Sequence, residues 1–162
     1  MVDASNEVRF WNISAVDGDY TAGELSAFGT VKVFYSRQTG NWNDVNTWSS
    51  VSVGGPVDGS LPGASNPVVI GDGSTYNHTV TVPAGYNNIS VGGLEIRSGS
   101  TLDLTTTTGH NFGALPESKI LGTGTLRISS AAATAEFPAG DFGNFLNTGG
   151  GTVEYYSTGA TD

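Results

Sequence analysis

Leu94-Glu95-Ile96-Arg97-Ser98-Gly99-Ser100-Thr101-Leu102-Asp103-Leu104 contains two segments with one outline, apolar then charged then apolar, joined by a turn of small and polar residues. A period of two sends the apolar flanks to one face and the charged centre to the other, as in a half-buried strand. Leu126-Arg127-Ile128 and Val153-Glu154-Tyr155 repeat the outline. Strands this short cannot bury an apolar face alone and must stack on their neighbours, which suits a coiled parallel sheet. The expected fold is all-β, a right-handed parallel β-helix or solenoid of short coils. A β-sandwich predicts the same alternation and remains the alternative.

Outward from this stretch, similar apolar runs predict strands over residues 8–13, 30–35, 48–53, 67–70, 79–82, 119–121, 125–128 and 152–156, beside those at 93–96 and 101–104. Gly54-Gly55-Pro56, Asp58-Gly59, Asp72-Gly73, Pro83-Ala84-Gly85, Ser98-Gly99 and Gly149-Gly150-Gly151 separate them, because Gly, Pro and Asp-Gly supply turn conformations. No apolar run has the three-and-four spacing of a long amphipathic helix. Gly29-Thr30-Val31-Lys32-Val33-Phe34-Tyr35-Ser36 returns near the end as Gly151-Thr152-Val153-Glu154-Tyr155-Tyr156-Ser157. This self-similarity suggests one unit of a tandem array. Residues 1–28 are then expected as lead-in strands, in part the end of a preceding module, and residues 29–162 as the solenoid module.

At 162 residues the chain is long enough for one domain with a substantial core. Its 24 glycines and 13% charged residues disfavour helix, while 37% hydrophobic content is enough to fold. A net charge of −9 opposes the phosphate backbone and argues against a nucleic-acid partner. With no cysteine, disulfides, thiol catalysis and cysteine-based zinc sites are excluded. No apolar run has the roughly 18 residues needed to span a bilayer, so membrane insertion is not expected.

The segment Tyr35-Ser36, Gly40-Asn41-Trp42-Asn43-Asp44-Val45-Asn46-Thr47-Trp48-Ser49, with Pro62-Gly63, Val68-Val69-Ile70 and His78-Thr79-Val80-Thr81-Val82, resembles the opening of β-helical modules in giant cell-surface adhesins of Bacteroidetes. It is also similar to the start of the G8-type extracellular domain. Gly122-Thr123-Gly124-Thr125-Leu126, Phe137-Pro138-Ala139-Gly140-Asp141-Phe142 and the closing Gly-Thr-Val-Glu-Tyr-Tyr strand resemble the coils that follow in such modules. The resemblance implies a secreted, extracellular protein on the bacterial cell surface, exported through the type IX machinery and acting in adhesion or gliding motility. Its implied partners are neighbouring modules of the same parent chain, the export machinery and surface polysaccharide.

Residues with the chemistry for a site are few. Trp42 and Trp48 flank Asn43-Asp44-Val45-Asn46, and with Tyr86 they form a candidate carbohydrate-stacking platform. The competing reading places both indoles as a cap over the first coil, which the usual burial of tryptophan favours. Trp11 beside Phe10 reads as packing. Asp17-Gly18-Asp19 is a candidate calcium site, since turn carboxylates and carbonyls suit that ion. An EF-hand fails there, because Ala22 and Phe28 stand where Gly and Glu are required. Otherwise no cofactor is expected. His78 and His110 lack metal-ligand spacing, and His78, opening an alternating strand, is expected at the surface. No carboxylate pair is singled out among Glu95, Asp103, Glu117, Glu136, Asp141 and Glu154, and no Gly-x-Ser-x-Gly elbow occurs, so the chain is not expected to be an enzyme.

Overall fold

The computed structural model describes residues 31–115, 117–131 and 135–157. They form ten short strands: β1 (Phe34–Ser36), β2 (Gly40–Asn41), β3 (Trp48–Ser49), β4 (Pro67–Ile70), β5 (Thr79–Thr81), β6 (Gly93–Ile96), β7 (Thr101–Asp103), β8 (Ile120–Leu121), β9 (Thr125–Ser129) and β10 (Thr152–Tyr156). One turn of 3-10 helix, Val45–Thr47, precedes β3. The strands are divided between two sheets, ordered β3-β1-β4-β6-β8 and β10-β9-β7-β5-β2. Every pairing is parallel except that of β1 with β3. The fold is therefore a β-solenoid of about 3 turns. Parallel strands in sequence-distant register exclude the antiparallel sandwich.

Register converts the sequence pattern into stacked columns. Phe34, Val68, Leu94 and Ile120 stand one above another inside the first sheet. Val80, Leu102, Leu126 and Val153 do the same in the second. All but Val153 are buried, and Val153 packs against the same cluster. Burying each such side chain contributes roughly 1.5–3 kcal/mol, so every coil is stabilised chiefly by the coils above and below it. The alternate residues point outward as a threonine column, Thr79-Thr101-Thr125-Thr152, and a mostly charged one, Thr81-Asp103-Arg127-Glu154.

A third, thinner ladder closes each coil through single bridges, Ser90 to Asn111 and Asn111 to Ala139. Two glycines set the path between sheets. Gly71 has φ +73, and a Cβ there would overlap Ser100 Oγ. Gly122 has φ +107 with the Ile96 carbonyl lying where its Cβ would be. Only glycine satisfies both the left-handed backbone and the close approach.

The solenoid lead-in over residues 1–28, with the predicted strand at 8–13 and Trp11, lies outside the described residues.

Candidate functional site

The two ends of the coil are built differently. At the first end, Asp44 caps the 3-10 turn, its Oδ1 accepting from the Asn46 backbone N–H and from Asn46 Nδ2, each at 2.9 Å. The polar run between the tryptophans is thus spent on folding the turn, which carries Trp48 back over Trp42. The indoles meet edge to face with centroids 4.9 Å apart, and Trp42 reaches Phe112 at 6.1 Å. Trp48 Nε1 donates to the Trp42 carbonyl at 2.8 Å. Trp42 is 1% exposed and Trp48 0%.

This corrects the stacking-platform candidate. Neither indole presents a face to a sugar, because each is packed into the first coil. Tyr86 is 36% exposed on the separate turn begun by Pro83, whose carbonyl accepts its N–H at 3.0 Å. The three aromatic residues therefore make no shared surface. Asp17 and Asp19, the candidate calcium ligands, lie outside the described residues. Among the described residues no group of three or more His, Asp and Glu side chains is placed to hold a metal ion.

The first end is also closed along its backbone. β3 runs antiparallel to β1, and the Trp48 carbonyl accepts from the Asp58 N–H at 3.0 Å. Asp58 in turn pairs with Lys32 Nζ at 2.5 Å. The Lys32 ammonium, bonded to Asp58, holds that carboxyl well below the usual carboxylate range. A reversed strand whose outer edge is covered by a loop does not continue a parallel stack.

At the last end, β10 is an edge strand among the described residues. Thr152 N–H donates to the Gly124 carbonyl, and the Tyr156 carbonyl accepts from Ser130 N–H. In a parallel ladder these groups alternate, so Thr152, Glu154 and Tyr156 face β9 while the N–H and C=O groups of Val153 and Tyr155 face the outer edge. Among the described residues, β10 pairs only with β9. Tyr155 continues the inward column above Ile128, yet is 55% exposed, and among the described residues no further coil lies over it. Leu146, also 55% exposed, lies in the turn region just before β10.

The outward charges hold this last strand in place. Arg127 donates through Nε to Glu154 at 2.9 Å and through Nη1 to Asp103 at 3.3 Å. Tyr156 OH donates to Asp103 Oδ1 at 2.8 Å, and the Arg127 guanidinium lies 4.2 Å from the Tyr156 ring centroid. Burial, reinforced by the bond to Asp103, pushes the Tyr156 phenol up to about 12. The column thus alternates negative, positive, negative from β7 to β10 and ends on an anion.

Both histidines are buried, which corrects the surface placement of His78. His110 Nδ1 accepts from the Ile89 N–H at 3.2 Å. Thr107 spends its hydroxyl proton on the Leu104 carbonyl, so its oxygen accepts from His110 Nε2–H at 2.9 Å. The ring is therefore the neutral Nε2–H tautomer, stacked on Phe112 at 5.7 Å and 11°. Burial pushes its pKa below the ordinary histidine value. His78 Nδ1 meets Ser36 Oγ at 2.9 Å, and burial lowers its pKa too. Each histidine ties one coil to the next.

Comparison of the chain with known families, curated proteins and solved structures finds no match.

Proposed function

We propose that this chain is a non-catalytic structural and adhesive module of a large secreted bacterial cell-surface protein, working outside the cell in adhesion or gliding motility. The observation that supports the reading is the contrast between the ends of the coil. One is sealed by buried indoles and a reversed strand, whereas the other ends on a paired, ordered strand whose outer edge is unpaired among the described residues, with an exposed inward tyrosine. Exposed strand edges invite pairing and are normally blunted. Here β10 has five residues and no proline, and its inward column is already in register for another rung. Neighbouring modules of the same parent chain are the partners that would cover it, and export through the type IX machinery is the route that accompanies this role. A stack of coils with outward Thr, Asp, Arg and Glu columns is suited to a wettable spacer whose flanks meet surface polysaccharide.

The test is the chain with residues 130–156 repeated once after Tyr156, which adds one coil that carries neither the indoles nor the reversed strand. Stacking predicts that the Val153 and Tyr155 amides of the original strand gain protection from hydrogen exchange and that the lengthened chain melts above the parent. A lengthened chain that exchanges and melts as the parent does would refute the proposal.

A further inference from the structure

On the outer face of the first sheet, Tyr35, Val51, Ser52, Asp72, Tyr76 and Arg97 line an open cleft of about 400 Å3. Several strands and turns meet there: Tyr35 comes from β1, Arg97 follows β6, and Asp72 and Tyr76 share the turn after β4. The volume falls in the range of small-molecule sites, roughly 300–1,000 Å3.

Its polar groups are fixed from behind. Asp72 Oδ1 accepts the N–H groups of Ser74, Thr75 and Tyr76 at 2.8, 2.9 and 2.9 Å. The same carboxylate oxygen takes all three, which leaves Oδ2 outside the turn. These bonds, that from Tyr76 foremost, hold the Asp72 pKa below the usual carboxylate range. Arg97 is gripped by Glu95, Nε to Oε1 at 2.8 Å and Nη2 to Oε2 at 3.2 Å. That fork orients the guanidinium plane and leaves Nη1 outside it. Tyr76 is 46% exposed, with its ring edge across Gly54, where an added Cβ would lie 3.0 Å from two ring atoms.

The cleft thus presents one oriented acceptor, one oriented donor, a serine hydroxyl and two tyrosines. Because partners inside the fold already hold the Asp72 and Arg97 side chains, a ligand would lose little free energy in ordering those two. Glu95 balances Arg97, and Asp72 leaves the surroundings anionic, which disfavours an acidic ligand and suits one rich in neutral hydroxyls. Tyrosine supplies an apolar ring and a polar tip, matching the two faces of a sugar ring.

We propose that this cleft binds a short neutral saccharide, with Tyr35 and Tyr76 as its apolar wall and Arg97 Nη1, Asp72 Oδ2 and Ser52 as its hydroxyl partners. The inference gives the adhesive half of the proposed function a location and a ligand class. It does not involve the β10 edge, so a chain that stacks without binding sugar would separate the two ideas.

The experiment titrates the full chain with neutral cello-, laminari-, manno-, xylo- and chito-oligosaccharides, and with an acidic oligogalacturonate, following amide chemical shifts and binding heat. At least one neutral series is expected to bind, moving the amides of residues 51–53, 72–76 and 97. Losing one hydrogen bond of about 1.4 kcal/mol is a tenfold loss of affinity, so Arg97→Gln and Ser52→Ala should each weaken binding about tenfold. Ser52→Ala removes only the hydroxyl and is expected to melt like the parent, which separates lost contact from lost folding. A silent neutral panel, shifts confined to other residues, binding of the acidic sugar alone, or undiminished binding by both variants would each overturn the proposal.

Discussion

Trp48→Phe tests the sealed end quantitatively. The indole is 0% exposed, and its Nε1–H is bonded to the Trp42 carbonyl at 2.8 Å, so phenylalanine removes that bond and leaves a void the size of the lost ring. An acceptor left unpaired in a buried site costs about 1–3 kcal/mol, and a small cavity adds about 1 kcal/mol. The expected loss is about 2–4 kcal/mol. At roughly 2–4 °C per kcal/mol for a chain of this size, the melting temperature should drop by about 4–16 °C. Far-ultraviolet circular dichroism is the right probe, because the substitution itself alters tryptophan fluorescence. A shift below about 2 °C would mean that Trp48 is not bonded and packed as described, and the argument for a sealed end would fail with it.

The two histidines predict a pH dependence. Both folded-state pKa values are lowered by burial, so each contributes stability that is fully present above the unfolded value of about 6.5. As pH falls below that value the unfolded chain takes up protons first, and stability declines down to the folded pKa values. Denaturant unfolding between pH 7.5 and 5 should show this decline, and a flat profile would contradict it. Leu102→Ala, fully buried between Val80 and Leu126, should cost about 2–5 kcal/mol, whereas Leu121→Ala, 43% exposed, should cost under about 1 kcal/mol by the same measurement. Equal losses at the two sites would mean that the inward and outward columns are misassigned. Gly122→Ala should destabilise strongly, since its left-handed φ and the Ile96 carbonyl both exclude a Cβ; a melt unchanged by it would refute that packing.

The coils between residues 67 and 156 were legible because each carries its own alternation. Leu94-Glu95-Ile96 and Leu126-Arg127-Ile128 bury both flanks and turn the charge outward, as their period requires. The predicted strand at 48–53 shrinks to Trp48–Ser49, since Val51 and Val53 alternate within a loop that supports no ladder. β2 is only Gly40–Asn41, too short and polar to leave a periodic signal. The Ser90, Asn111 and Ala139 ladder is silent in sequence for the same reason, being single bridges through small or polar residues.

The sites were less legible than the fold. Trp42 and Trp48 have the composition of a sugar platform and the packing of a core, and only the turn made by Asp44 and Asn46 decides between them. His78 reads as polar and hence exposed, but Ser36 from a distant coil gives it a buried partner. The cleft beside Tyr76 assembles residues from β1, the loop after β3 and the turns after β4 and β6, so no local pattern announces it. The likeness of residues 151–157 to residues 29–36 is one of sequence: β10 covers Thr152–Tyr156, whereas residues 31–33 are not in a strand and β1 begins only at Phe34.

The most direct measurement is amide hydrogen exchange along β10 in the isolated chain. The account predicts alternation, with the Glu154 N–H protected by its bond into β9 and the Val153 and Tyr155 N–H groups exchanging at rates near those of an exposed edge. Equal, strong protection at all three positions would show that the edge is already covered, and the account of a coil built with one end open for stacking would be wrong.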